Sequence, residues 1–182
     1  PDAALSAVQL FRVRDAVSYN PYSPQEWPAG VWQADNADYG VGVRFHIGHT
    51  VAEAADSFTV RIEDSTGTLV RRLRGAADPG MHEVRWNLAL QLEGPDGELM
   101  NPGPRVLPGT YRASLQVDGM DATATSEFEV VLDPRAEITR AQLVARHEAM
   151  LESYRLSGPA NQAEDALDDA EERLDAALER AR

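Results

Sequence analysis

The sequence contains no cysteine and no lysine. The absence of cysteine excludes disulfides, thiolate metal sites and cysteine nucleophiles. No stretch approaches the roughly 18 apolar residues of a membrane-spanning helix, so we expect no membrane insertion. The chain begins at Pro1 rather than at a methionine, and it shows no basic-then-apolar leader segment. We therefore expect a mature or excised piece of a longer protein.

The charge balance is strongly acidic. Seventeen basic residues, all of them arginine, face 30 acidic residues, for a net charge of −13. Binding to nucleic acid requires a basic patch that displaces counterions from the phosphates. Docking on an anionic membrane surface has the same requirement. The composition therefore argues against both classes of partner and predicts a self-repelling, well-hydrated surface.

Apolar and polar residues alternate along much of the first 135 residues, which is typical of strands with one buried face. The alternating segments are 41–47, 58–62, 69–74, 84–88, 111–117 and 128–132, after a short strand predicted at 10–13. Turn signals separate them, among them Asp64–Gly67, Pro79-Gly80 and Asp118-Gly119. The segments 18–39 and 94–109 are rich in Pro or Gly and predict long loops. About seven short strands with no helix between them indicate an immunoglobulin-like antiparallel β-sandwich, with Trp86 and Leu88 on its core face and Tyr111 in the core or at a corner.

The last part of the chain changes to helical spacing. Thr139 and Gln142 match a helix capping box, and Gly158-Pro159 is expected to end the helix that follows. Apolar stripes at helical spacing run through 143–154 and 163–178. We predict a two-helix hairpin over 136–182, after an N-terminal strand and aromatic loop over 1–39 and the sandwich over 40–135.

The residues that could carry chemistry form no recognisable catalytic set. His46 and His49 lie three positions apart, which puts their side chains on opposite faces of a strand, and no third ligand is evident. The acidic segment 35–40 lacks the alternating oxygen ligands of a calcium loop. There is no Gly-x-Ser-x-Gly nucleophile turn. We expect a chain that is not an enzyme and has no metal and no cofactor.

The aromatic residues of the first loop are the candidate contact residues. They are Tyr22, Trp27, Trp32 and Tyr39. Flat rings on a sandwich loop can stack on sugars, or they can pack against a sheet edge or a neighbouring domain. Both interpretations remain open from the sequence.

Several segments together resemble a known domain. The segments are Ser57–Leu73, Pro79–Leu88, Leu107–Tyr111, Val117–Gly119 and Asp133-Pro134-Arg135. In this order they resemble the C-terminal immunoglobulin-like domain and helical tail of bacterial β-propeller proteins described as sortilin-like or BNR-repeat glycosyl hydrolases. The hook-capping protein of flagella has a related domain without the tail. In the propeller proteins the first tail helix is often continuous, whereas Gly158-Pro159 interrupts it here.

The resemblance implies a structural accessory domain of an extracytoplasmic protein. Its partner would be the propeller of the same parent protein or another protein. Any enzymatic chemistry would belong to the propeller, so the resemblance transfers no catalytic residue. The alternatives are a carbohydrate-binding module that uses the loop aromatics, an assembly scaffold like the hook-capping domain, and a tail that pairs with helices of another chain.

Overall fold

A computed structural model of the chain describes residues 8–19, 38–93, 99–100, 103–120 and 124–156, together with the single helical positions 167 and 173. The chain forms two compact units, one of residues 1–90 with 105–138 and the other of 91–104 with 139–182. None of the helices in the described ranges is long and apolar enough to cross a membrane. Tyr22, Trp27 and Trp32 lie outside the described residues, and the domain boundaries given above stay predictions.

The first unit is mainly β. Its strands, numbered along the chain, are β1 Val8–Leu10, β2 Ala16–Ser18, β3 Val41–Ile47, β4 Ser57–Asp64, β5 Leu69–Ala76, β6 Gly80–Trp86, β9 Gly109–Val117 and β10 Ala124–Leu132. One sheet has the order β1-β3-β6 and the other β2-β10-β9-β4-β5. Neighbouring strands are antiparallel, except that β2 runs parallel to β10.

Both sheets share one core. The alternation in β3 buries Val41, Val43, Phe45 and Ile47 and leaves the residues between them at the surface, as predicted. Two clusters of ring side chains bridge the sheets, one at Trp86 and the other at His82, four residues earlier in β6. In the Trp86 cluster, Trp86 contacts Tyr111 and Phe128 with centroid distances of 5.4 and 6.3 Å. In the His82 cluster, Phe45 contacts Phe58 at 4.7 Å and stacks on His82 at 5.1 Å.

The segment that follows β6 packs into the core and supplies the hydrogen-bond acceptor of the Trp86 indole. The strand ends at Trp86, so the prediction that Leu88 belongs to it is wrong. Leu88 is fully buried in a left-handed conformation with φ 59°. Non-glycine residues adopt this conformation at an energetic cost that the surrounding packing must offset. The resulting turn lets the indole Nε1 of Trp86 donate to the carbonyl of Ala89 at 2.8 Å.

Three further predictions about the β region need correction. A short helix, His49–Ala52, lies between β3 and β4, where no helix was expected. The strand predicted at 10–13 is two short strands, β1 and β2, one in each sheet, because the chain crosses between sheets at 11–15. The predicted loop 94–109 contains Leu99–Met100, here β8, and the first residue of β9.

The second unit contains a hairpin and the C-terminal helix. Leu92–Glu93, here β7, pairs antiparallel with β8. A helix covers 140–156 and begins with the predicted capping box. The Thr139 amide donates to Oε1 of Gln142 at 2.9 Å, and the Gln142 amide donates to Oγ1 of Thr139 at 3.3 Å. The second predicted helix lies outside the described residues except at positions 167 and 173, which are helical.

Candidate functional site: a charged groove on the three-stranded sheet

A groove of about 650 Å³ lies against the outer face of the three-stranded sheet. Its floor is formed by β3 and β6, and its walls include the crossing segment 11–15 and the residues before β3. The charged residues that line it are Arg12, Arg14, Asp15, Asp38, Arg44, Glu83 and Arg85. We call it the outer-face groove. Four arginines against three carboxylates make it locally cationic in a chain whose net charge is −13.

The sheet register brings these side chains together. Arg44 of β3 lies opposite Glu83 of β6, and Gly42 lies opposite Arg85. Because side chains alternate across a strand, all four positions face away from the core. Gly42 keeps the floor open, since a Cβ there would lie 2.8 Å from Oε1 of Glu83. At the rim, Gly40 has φ +100°, and a Cβ there would lie 2.0 Å from the carbonyl oxygen of Trp86. Only glycine fits that position.

The groove contains a ladder of ion pairs. Nε of Arg44 donates to Oε2 of Glu83 at 2.7 Å, and Nη2 of Arg85 donates to Oε1 at 2.5 Å. The same Nη2 lies 2.9 Å from Oδ2 of Asp38. The hydrogen bond from Arg44 and the two arginine charges hold the pKa of Glu83 below its ordinary value. Glu83 is therefore an acceptor, not a proton donor, near neutral pH.

Two of the groove's arginines differ from the others. Arg12 and Arg14 are exposed and form no ion pair with any of the described residues. Their neighbour Asp15 accepts a hydrogen bond from the amide of Glu129 at 2.8 Å, which ties the crossing segment to β10. Their guanidinium groups can donate hydrogen bonds to an incoming acceptor. The groove is suited to binding.

Tyr39 is the one predicted contact residue that the structure describes. Its ring packs edge-to-face on Tyr19 at 5.1 Å, and Cζ of Arg105 lies 5.1 Å from its centroid. Nη1 of Arg105 also donates to the carbonyl of Tyr19 at 2.6 Å. The Tyr39 hydroxyl is buried and has no hydrogen-bond partner in the described part of the chain. The ring therefore serves internal packing between the start of β3 and the segment after β2.

The histidines are not brought together. His46 is half-buried on the outer side of β3, and His49 is exposed at the start of the short helix. Nε2 of His82 donates to the carbonyl of Asp78 at 2.6 Å while its ring stacks on Phe45, a packing role that the sequence did not indicate. The described residues contain no group of three or more histidines and carboxylates that could hold a metal ion.

The sequence contains a signal for the groove, although the predictions above did not include one. Gly42-x-Arg44 and Glu83-x-Arg85 each alternate with apolar residues, so their outward positions were recognisable. Their pairing depends on β3 and β6 being neighbours, although they lie about 40 residues apart and β4 and β5 come between them in the chain.

Comparisons with known proteins give little more. No protein-family model matches the chain, and no curated protein matches it. One solved structure that matches is PorZ, an essential bacterial surface component of the type-IX secretion system of Porphyromonas gingivalis. The match has 24% sequence identity and a TM-score of 0.31, and it covers 50% of this chain and 9% of the PorZ chain. A likeness of this size carries no argument about function.

Proposed function

We propose that this chain is a non-catalytic accessory module of an extracytoplasmic protein, an immunoglobulin-like sandwich that works by binding another domain or protein through the outer-face groove. The observation that carries the proposal is the chemistry of the groove. Its central carboxylate, Glu83, is ion-paired with the guanidinium groups of both Arg44 and Arg85. Such a set can recognise charged groups through ion pairs and charge-assisted hydrogen bonds.

The strand order supports the immunoglobulin-like assignment. In immunoglobulin domains two antiparallel sheets share a core, with strands A, B, E and D in one and C, F and G in the other. Here β1, β3 and β6 correspond to A, B and E, while β4, β9 and β10 correspond to C, F and G. β5 is the last strand of the second sheet and pairs with β4, as a C′ strand pairs with C.

A tyrosine corner gives further support. In these domains a tyrosine near the start of strand F donates its hydroxyl to a backbone carbonyl a few residues upstream. Tyr111 lies near the start of β9 and donates to the carbonyl of Leu107 at 2.5 Å. Burial raises the pKa of Tyr111 to about 12, with a smaller contribution from the charge of Asp64. The hydroxyl is therefore a constant donor over the physiological range.

The proposal can be tested by comparing amide hydrogen exchange of the isolated chain with that of the longer protein that carries it. We expect slower exchange in 11–15, 38–44 and 81–85 when the neighbouring part of the protein, or its partner, is present. Replacing Arg12 and Arg14 together with glutamate should remove this protection.

The matched control is the same double replacement of Arg140 and Arg146, two exposed arginines of the C-terminal helix. It changes the net charge equally and should leave the protection in place. Identical exchange of the groove segments in both contexts, with any known partner added, would sink the proposal.

A further inference from the structure

The sheets end in four edge strands, and these differ in how they resist pairing with another chain. Natural edge strands are kept from pairing by shortness, by charged side chains, by proline or by bulges. β1 and β2 have three residues each. The pairing of β5 with β4 shifts register between Ile62 and Glu63. β6 has seven residues, no proline and an unbroken register with β3.

The backbone of β6 presents hydrogen-bonding groups at its outer edge. The amide of Phe11 donates to the carbonyl of Arg44 at 3.0 Å, so the backbone of Arg44 faces β1. Because antiparallel pairs alternate, Arg44 and Glu83 form a pair without mutual hydrogen bonds. The N–H and C=O of Glu83 therefore point away from β3. The same alternation applies to Met81 and Arg85, and no strand of the described ranges pairs with this edge.

The side chains of these three residues do not repel an added strand. Met81 is an exposed apolar residue, with 63% of its surface accessible. The charge of Glu83 is neutralised by Arg44, and that of Arg85 by Glu83 and Asp38. The edge thus offers an apolar, an acidic and a basic position in sequence, with the backbone groups of each directed outward.

We propose that the open edge of β6 receives an extended segment of a partner protein as an added antiparallel strand. The inference rests on the proposed binding function and names the element that the partner engages. Backbone hydrogen bonds to Met81, Glu83 and Arg85 would supply affinity. Cross-strand pairing sets the partner's pattern: an acidic residue opposite Arg85, a basic residue opposite Glu83 and an apolar residue opposite Met81. A second copy of this chain is disfavoured, because each copy carries a charge of −13.

The test is an NMR titration of the ¹⁵N-labelled chain with a blocked synthetic peptide whose core is Glu-Val-Arg-Val-Leu. Without peptide, the amides of Met81, Glu83 and Arg85 should exchange quickly, whereas those of His82 and Val84, paired with β3, should exchange slowly. At 90% saturation, exchange at the three edge amides should slow about tenfold, because a bonded amide exchanges only when the pairing opens. Slow exchange of the edge amides before addition, or no change after it, overturns the proposal.

Two variants of one residue separate backbone from side-chain effects. Glu83→Pro removes the outward N–H and leaves the hydrogen bonds between β3 and β6 in place, and it should weaken peptide binding at least about tenfold. Glu83→Thr removes the same ion pairs but keeps the N–H, and it should stay within about threefold of the parent affinity. Equal effects of the two variants contradict strand addition.

A second arm does not depend on the folding of Glu83→Pro. A peptide that is N-methylated at the amides facing β6 should fail to bind the parent chain. If it binds with the same affinity as the unmodified peptide, the proposal is overturned. The chain alone should be monomeric in sedimentation. If it dimerises and Glu83→Pro abolishes the dimer, the edge of β6 binds a second copy of the chain and the proposed partner segment is wrong. If the groove segments are protected in the longer protein while the edge amides are not, strand addition fails and the proposed accessory function stands.

Discussion

The two ring clusters of the core are centred on Trp86 and His82, four residues apart on β6, and they differ in burial and in the hydrogen-bond partners of their polar ring groups. In the Trp86 cluster both polar ring groups have backbone partners, the carbonyls of Ala89 and Leu107. In the His82 cluster the imidazole is half-buried and bonds the carbonyl of Asp78 in the turn before the strand. Both clusters join the two sheets, but only in the first are all the rings buried.

The difference shows what a buried polar ring requires. An indole or phenol can be buried at little cost only when its polar group finds an acceptor. At the Trp86 cluster the acceptors come from irregular segments, and one of them needs Leu88 in a left-handed conformation. At the His82 cluster the imidazole sits at the margin of the core and needs no comparable loop. The stability of the unit should therefore depend unequally on the two clusters.

The largest effect is expected for Trp86→Ala. Removing a fully buried indole leaves a cavity between the sheets and costs about 3–5 kcal/mol in the free energy of unfolding. Urea unfolding followed by circular dichroism measures it. Val84→Ala, at a half-buried position of the same strand face, is the control and should cost clearly less. A loss below about 1 kcal/mol for Trp86→Ala would mean that this cluster does not hold the sheets together.

Tyr111→Phe should cost about 1–2 kcal/mol at neutral pH, because it removes the hydrogen bond to Leu107 from a buried site. The variant also changes the response to alkali. Folding raises the pKa of Tyr111 from 10.0 to about 12, so its stabilising contribution is complete below pH 10 and is lost as the pH rises through 12.

The difference in unfolding free energy between the parent chain and Tyr111→Phe should therefore shrink between pH 9 and about 12. Denaturant unfolding at several pH values measures it. A difference that is constant or grows over this range would contradict a buried, neutral phenol.

His82→Ala should cost about 0.5–1.5 kcal/mol, because its contacts with the rings of Phe45 and Phe58 lie at a partly exposed site. The same urea experiment measures it. His46→Ala, on the outer face of the neighbouring strand, is the control and should change stability by less than about 0.5 kcal/mol. A loss for His82→Ala as large as that for Trp86→Ala would remove the distinction between the clusters.

The smallest effect is expected for Asp64→Asn, beside the Trp86 cluster. Asp64 lies opposite Tyr111 in the register and accepts hydrogen bonds from the side chain and amide of Thr66 and the amide of Thr68. The side-chain hydrogen bond from Thr66, with the backbone hydrogen bonds, holds the pKa of Asp64 below its ordinary value of 3.8. Its contribution is therefore present above that pH and is lost as the pH falls through the lowered value.

Asp64→Asn should lower stability by about 0.5 kcal/mol at neutral pH, since exposed polar contacts contribute little. It should also flatten the loss of stability as the pH falls through and below 3.8, the ordinary pKa of the Asp64 carboxyl. Unfolding curves at several acidic pH values test this. A variant as acid-sensitive as the parent would place the titrating group elsewhere.

Local patterns predicted the parts of the fold that depend on neighbours in sequence. β3 follows from alternation over 41–47 and most of β4 from alternation over 58–62, and the tight loop Asp64–Gly67 follows from a glycine that adopts φ 84°. The capping box of Thr139 and Gln142 depends on a spacing of three residues, and both of its hydrogen bonds are present. In each case the stabilising contacts lie within a few positions of one another.

The missed features depend on distant contacts. The crossing of the chain between sheets at 11–15 is held in part by the Val13 amide, which donates to Oγ of Ser126, 113 positions away, at 3.0 Å. The short helix His49–Ala52 has no capping side chain and buries only Val51, so no local signal marks it. The role of His82 follows from rings that β3 and β4 contribute.

By itself, the sequence determined which residues are buried in most strands, the chemistry that the chain cannot perform through cysteine, and the start of its C-terminal helix, because alternation, composition and capping act over short distances. The tertiary structure alone decided that β3 and β6 are neighbours, that four arginines and three carboxylates gather on their outer face, and that one edge of β6 is left open. These features arise from strand order, which is set by the packing of two whole sheets around one core and not by any single segment.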